Sequence, residues 1–168
     1  MTTIVDVALT DERTWRPASL DEFVGQSALK STLGLMLQSA SMRGAALEHV
    51  AFFGPPGLGK TTLAYIISNA VGGQLRELSA PAITKPGDLA AILTGLNMGD
   101  VLFLDEIHAL KRDIAEMLYS AMEDFKVSIK LDKQDDLITL PVQRHTLVGA
   151  TTDYGLLPEP LRARFGHI

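Results

Sequence analysis

Gly54-Pro55-Pro56-Gly57-Leu58-Gly59-Lys60-Thr61, followed by Thr62, fits G-x-x-x-x-G-K-[ST] in full. The chemistry these residue types offer is phosphate binding. Gly57 and Gly59 let the backbone wrap closely around an anion. Lys60 brings a point charge to the β/γ-phosphates of a nucleotide, and the Thr61 hydroxyl is a ligand for Mg²⁺. The apolar run before the motif, 50–53, reads as a strand, and 62–67 reads as the start of a helix. A helix start presents unpaired N–H groups and a positive dipole end to an anion. The plain alternative is a glycine-rich turn that only joins strand to helix. The Lys-Thr pair in register speaks against it.

A second group of residues could do the complementary chemistry. Four apolar residues, Val101-Leu102-Phe103-Leu104, run into Asp105-Glu106. An uninterrupted apolar run suggests a strand covered on both faces, as in a parallel sheet. Acids at its carboxyl end stand where open α/β sheets bind ligands. Asp105 can hold Mg²⁺, directly or through water, and Glu106 can orient or deprotonate an attacking water. Alone, this stretch reads equally well as a solvated acidic turn after a core strand. Downstream of a phosphate loop, that reading loses ground.

The elements that must position these groups are legible in outline. Ser19 and Glu22 fit a capping box that starts a helical turn. Ala28, Leu29, Leu33, Met36, Leu37 and Ala40 recur at helical spacing over 27–42, with Gly44 as the stop. The phosphate loop opens a helix to about Val71, broken by Gly72-Gly73. A strand is expected at 74–78, a short helix at 88–96 and a helix at 111–123. Val127, Ile129 and Leu131 alternate with polar residues, and 137–140 reads as the return strand of a projecting hairpin. A buried strand at 146–150 ends at Thr151-Thr152, and 158–165 reads as a short terminal helix. Strands alternating with helices imply an α/β fold with a parallel sheet flanked by helices on both faces. In such a sheet the phosphate loop, Asp105-Glu106 and Thr151-Thr152 share one edge.

The length of 168 residues suits one domain, with 1–14 expected as a flexible leader. With no cysteine, a disulfide framework and a thiolate metal site are both excluded. His49, His108, His145 and His167 stand singly, so His108 is read as structural rather than as a metal ligand. The first residues do not resemble a signal peptide, and no run approaches a membrane span, so the expectation is a cytoplasmic protein with no membrane partner. The net charge of −5 gives no global attraction for nucleic acid.

The stretches 54–62, 85–93, 105–108, 121–125, 149–152 and 164–166 together resemble the RuvB family, the bacterial Holliday-junction branch-migration motors of the AAA+ class. The resemblance runs from Arg16-Pro17 to Ile168. It implies a P-loop AAA+ large ATPase subdomain over 15–168, with the family's last sheet strand, helical lid and winged-helix DNA-binding domain falling beyond Arg164. It implies ATP or ADP with Mg²⁺ as ligands, held by Gly54 to Thr62 and Asp105. Arg16 and Pro17, with 23–26, would border the adenine. Thr152, with Thr151 as second choice, would sense the γ-phosphate. Arg164 would be an arginine finger for a neighbouring subunit; read without the family, a surface salt-bridge residue is the favoured reading. The partners implied are further copies in a hexameric ring, a RuvA-like junction-binding protein on the 127–140 hairpin, and junction DNA. The function expected is ATP hydrolysis driving branch migration in recombination and repair. The alternatives are a nucleotide-binding or interaction module with little activity by itself, and a clamp-loader-like AAA+ subunit.

Overall fold

Val101, Leu102, Phe103 and Leu104 are all buried, which a strand achieves only when both faces of its sheet are covered. The computed structural model, which describes residues 16–130 and 136–167, shows how. The expected leader and the hairpin tip at 131–135 lie outside the described residues. In chain order the elements are α1 (Ser27–Arg43), β1 (Val50–Phe53), α2 (Lys60–Val71), β2 (Leu75–Ser79), α3 (Pro86–Thr94), β3 (Val101–Asp105), α4 (Arg112–Asp124), β4 (Lys126–Lys130), β5 (Leu137–Pro141), β6 (Thr146–Thr151), α5 (Glu159–Arg162) and β7 (Gly166–His167).

Among the described residues, five strands form a parallel sheet in the order β2-β3-β6-β1-β7. Successive side chains of a strand point to opposite faces, so each central strand feeds two cores. Val50, Phe52, Val101, Phe103, Val148 and Ala150 join Leu33 of α1 and Leu63, Ile66 and Ile67 of α2. Ala51, Leu102, Leu104 and Leu147 join Leu89 and Leu93 of α3, Ile114 and Leu118 of α4, and Leu161 of α5. Truncating any of the fully buried leucines or isoleucines here would cost about 2–5 kcal/mol. Helices thus cover both faces, as the alternation of strands and helices predicts. The antiparallel pair β4 and β5 stands apart from the main sheet.

Three local features depart from the sequence reading. The expected turn forms, with Phe23 N–H on Leu20 O (3.3 Å), but the capping box does not close: Glu22 accepts from the N–H of Ala18, 2.8 Å away, one residue before the position a reciprocal cap requires. The helix expected at 88–96 starts earlier, at Pro86, because proline suits a first helical position and the Asp88 carboxylate gathers the N–H groups of Lys85 (3.0 Å) and Thr84 (3.2 Å). The last sheet strand, expected beyond the chain, begins within it. Gly166 and His167 pair in parallel with Val50 and Ala51 on the outer side of β1.

Candidate nucleotide site

The phosphate loop leaves β1 and enters α2, which begins at Lys60. Its glycines are in conformations that L side chains rarely adopt: φ is 151° at Gly54, 84° at Gly57 and 82° at Gly59. A Cβ at Gly59 would stand 2.9 Å from Cε2 of Phe23, so the ring rests directly on the loop. The Lys60 ammonium donates to the carbonyls of Gly54 (2.7 Å) and Pro55 (3.0 Å), which fold the loop around the lysine. Gly54 in turn donates its N–H to Thr151 O (3.1 Å), tying the loop to β6. Pro55, Pro56 and Leu58 are exposed on the outside of the turn, whereas Thr61 and Thr62 are half-buried in the first turn of α2.

Parallel register aligns the strand ends. Ser79 is opposite Asp105, and Phe53 is opposite Thr151. A cleft of about 240 Å³ is lined by Thr61 from α2, Glu77 and Ser79 from β2, and Asp105 from β3. Those hydroxyl and carboxylate oxygens are the hard donors that suit Mg²⁺, so the residues fit the cation that the phosphate loop implies. Glu77 and Ser79 escaped the sequence reading. Their only signal was a place at the carboxyl end of β2, a strand too polar to stand out.

Asp105 accepts the N–H of Glu106 on Oδ1 (3.0 Å). Glu106 holds a left-handed backbone, φ 54°, which turns the chain sharply into the 3₁₀ segment Ile107–Ala109. Its carboxylate lies 3.8 Å from Nε2 of His108. The other ring nitrogen of His108 lies 2.8 Å from Oγ1 of Thr151, which is buried at the end of β6. Thr152 is exposed one residue further on. His108 therefore bridges two expected site residues. Among the described residues no three or more histidine, aspartate or glutamate side chains gather into a metal-binding group, so a cation in the cleft would depend on hydroxyl oxygens as well.

On the amino-terminal side, the side-chain amide of Asn69 donates to Ala18 O (3.2 Å), and Lys30 donates to Phe23 O (2.8 Å). These bonds fasten the 16–23 segment to α2 and α1. Arg16 reaches Glu77 in the cleft at 3.7 Å, and Pro17 is half-buried beside it. Thr61, Glu77, Ser79 and Asp105 thus share one cleft, which Arg16 reaches through its pairing with Glu77. Arg164 is placed differently. It follows α5 and pairs with the Glu123 carboxylate on α4. Glu123 is a partner that sequence spacing could not reveal, since 41 positions separate the two.

Comparison with known proteins matches this fold. A family model described as the Holliday junction DNA helicase RuvB P-loop domain matches residues 15–168. A Holliday junction branch migration complex subunit RuvB from Nocardioides sp. is 56% identical over 157 residues, spanning 92% of this chain and 44% of that protein. The Thermotoga maritima protein of the same name is 52% identical, spanning 95% of this chain and 51% of its own length. The solved Thermotoga maritima RuvB Holliday junction branch migration motor superposes with a TM-score of 0.79 at 53% identity, over 91% of this chain and 47% of that one. A point variant of the same protein gives 0.83. The chain spans about half the length of the curated relatives it matches. With the family model matching residues 15–168 and relatives more than 50% identical over more than nine-tenths of its length, the chain belongs to the RuvB family.

Proposed function

We propose that this chain is the ATP-binding and ATP-hydrolysing core of a Holliday-junction branch-migration motor. The observation that carries the reading is the meeting of phosphate loop, Asp105 and Glu106 at one edge of the sheet in a member of this family. Residues 15–168 constitute the large ATPase subdomain. The loop from Gly54 to Thr62 cradles the phosphates, with Lys60 on the β/γ-phosphates. Thr61 and Asp105 hold Mg²⁺, and Arg16 and Pro17 border the base. Bound Mg²⁺ supplies charge neutralisation on the phosphates. Glu106 orients the attacking water and takes its proton. Thr152, or Thr151 beside it, senses the γ-phosphate.

Arg164 acts on the nucleotide of a neighbouring copy in a ring, and the β4–β5 hairpin meets a RuvA-like junction-binding protein. The work is done in the cytoplasm, on junction DNA; among the described residues no helix is long and apolar enough to cross a membrane. Family membership favours this motor over a clamp-loader-like subunit. One observation favours a second reading, a nucleotide-binding module with little activity by itself: in the single chain Arg164 is already paired with Glu123.

ATP turnover measured against protein concentration tests the proposal. Turnover per chain should rise steeply with concentration and collapse in Arg164→Ala, because a missing arginine finger costs about 10³–10⁵-fold. A rate per chain that is independent of concentration and unaffected by the substitution would remove the trans role of Arg164. No turnover at any concentration would favour the module.

A further inference from the structure

Glu77 is the least expected residue of the cleft. Side chains alternate along β2: Leu75 packs with the core that includes α2, and Leu78 packs with the core on the other face of the sheet. Glu77 therefore shares the α2 side with Leu75 and Ser79. Opposite Glu77 in the register is Phe103, buried in that same core, so an apolar side chain would suit the position better on packing grounds. A carboxylate stands there instead, and it does not simply face solvent. It lines the cleft of about 240 Å³ together with Thr61, Ser79 and Asp105, and its Oε1 lies 3.7 Å from Nη1 of Arg16.

The register sets the range of its charge. Asp105 lies two residues beyond Phe103 on the neighbouring strand. Strands rise about 3.3 Å per residue and neighbours lie about 4.8 Å apart, so the backbones of Glu77 and Asp105 are roughly 8 Å apart, about one screening length at physiological salt. Asp105 is the expected cation ligand. Glu77 adds a second negative charge that acts over this distance without touching the ion. A triphosphate with no cation is repelled by both carboxylates. The cation-bound form carries less negative charge and turns the ion toward them. Arg16 offsets part of the repulsion. It belongs to the segment that Asn69 fastens to α2 through Ala18, and its guanidinium is half-exposed, as is the Glu77 carboxylate. Glu77 thus has two claimants, the guanidinium and a cation in the cleft; engaged by the second, it leaves Arg16 free for the nucleotide.

We infer that Glu77 is a specificity-determining residue: it makes the site select the cation-bound nucleotide over the free one, with Arg16 as its counter-charge. This rests on the cleft being the cation side of an ATP site. The test is equilibrium binding of a non-hydrolysable ATP analogue to this chain by calorimetry, in Mg²⁺ and again in EDTA, so that turnover plays no part.

The parent should bind the analogue more tightly in Mg²⁺ than in EDTA. Glu77→Gln should lower that preference by about 2–5-fold, mainly by strengthening binding in EDTA, the size expected of one half-exposed charge. Glu77→Asp keeps the charge and should keep most of the preference. Added salt should shrink the difference between parent and Glu77→Gln, as screening requires and a packing effect does not. An unchanged preference in Glu77→Gln, a Glu77→Asp variant that behaves like Glu77→Gln, or a difference that salt leaves intact would each overturn the assignment and leave the ATP site standing. A parent that binds the analogue in neither condition would overturn both.

Discussion

Lys60 is the residue on which the nucleotide reading turns, and its contacts show why. Its ammonium donates to Gly54 and Pro55, within the loop that would cradle phosphate. An anion would compete with two neutral carbonyls for a full positive charge, and charge-assisted bonds are roughly twice as strong as neutral ones. Lys60→Ala should therefore largely abolish ATP binding in calorimetry; a folded variant with parental affinity would refute the assignment. Glu106→Gln makes a sharper distinction. Glutamine keeps the shape but takes no proton, so binding should persist while hydrolysis falls by about 10²–10⁴-fold in a phosphate-release assay. Residue types at fixed spacing made both positions legible in the sequence, because phosphate binding demands glycines, a lysine and a hydroxyl in one order. The arrangement of His108 was not legible. Its partner Thr151 is 43 positions away and arrives only because β3 and β6 are neighbours, with Leu104 opposite Gly149.

At the scale of elements, the phosphate loop depends on a segment far before it. Phe23 lies against Gly59, anchored by Lys30 from α1 and, through Ala18, by Asn69 from α2. Gly59→Ala would meet two obstacles at once, a left-handed φ of 82° and the Phe23 ring. The substitution should destabilise the fold by about 1–3 kcal/mol in urea unfolding and weaken nucleotide binding, since the ring or the loop must move. Parental stability and affinity together would show that the contact is slack. Helices α1, α2 and α4 were readable from periodic apolar residues and from glycine stops at Gly44 and Gly72, both left-handed as a helix stop requires. β2 and β7 were harder. β2 is an edge strand with exposed Arg76 and Glu77, so its alternation is weak. β7 shows only two residues, too few for any period to register.

For the molecule as a whole, two histidines, His145 buried and His49 half-buried, make stability depend on pH. His49 accepts the N–H of Leu147 on Nδ1 (2.9 Å) and faces Met122 O with Nε2 (3.3 Å), joining β6 to α4 from just before β1. Burial, with His145 close by, lowers its pKa from 6.5 to about 4. Burial also lowers the pKa of His145, whose Nε2 is enclosed without a hydrogen-bond partner. Both rings are neutral in the fold, whereas the unfolded chain binds their protons near the ordinary value. Their support is complete above about pH 6.5 and is lost as pH falls toward and through about 4, a loss of about 3 kcal/mol for His49 alone. Melting curves from neutral to acid pH should show the decline, and His49→Gln should flatten it relative to the parent. An equal slope in both proteins would assign the acid sensitivity to carboxylates instead.

The double-sided burial of β1, β3 and β6 also governs which substitutions the protein tolerates. A half-buried strand accepts change at every second position. Here Val101 to Leu104 and Leu147 to Ala150 have no solvent face at all. A library in which every position is varied, sorted for retained folding, should find unbroken blocks of intolerance across these strands. The solvent-facing helix positions and the β5 strand should accept change freely, so the record of permitted sequences would trace the layered cross-section of the sheet.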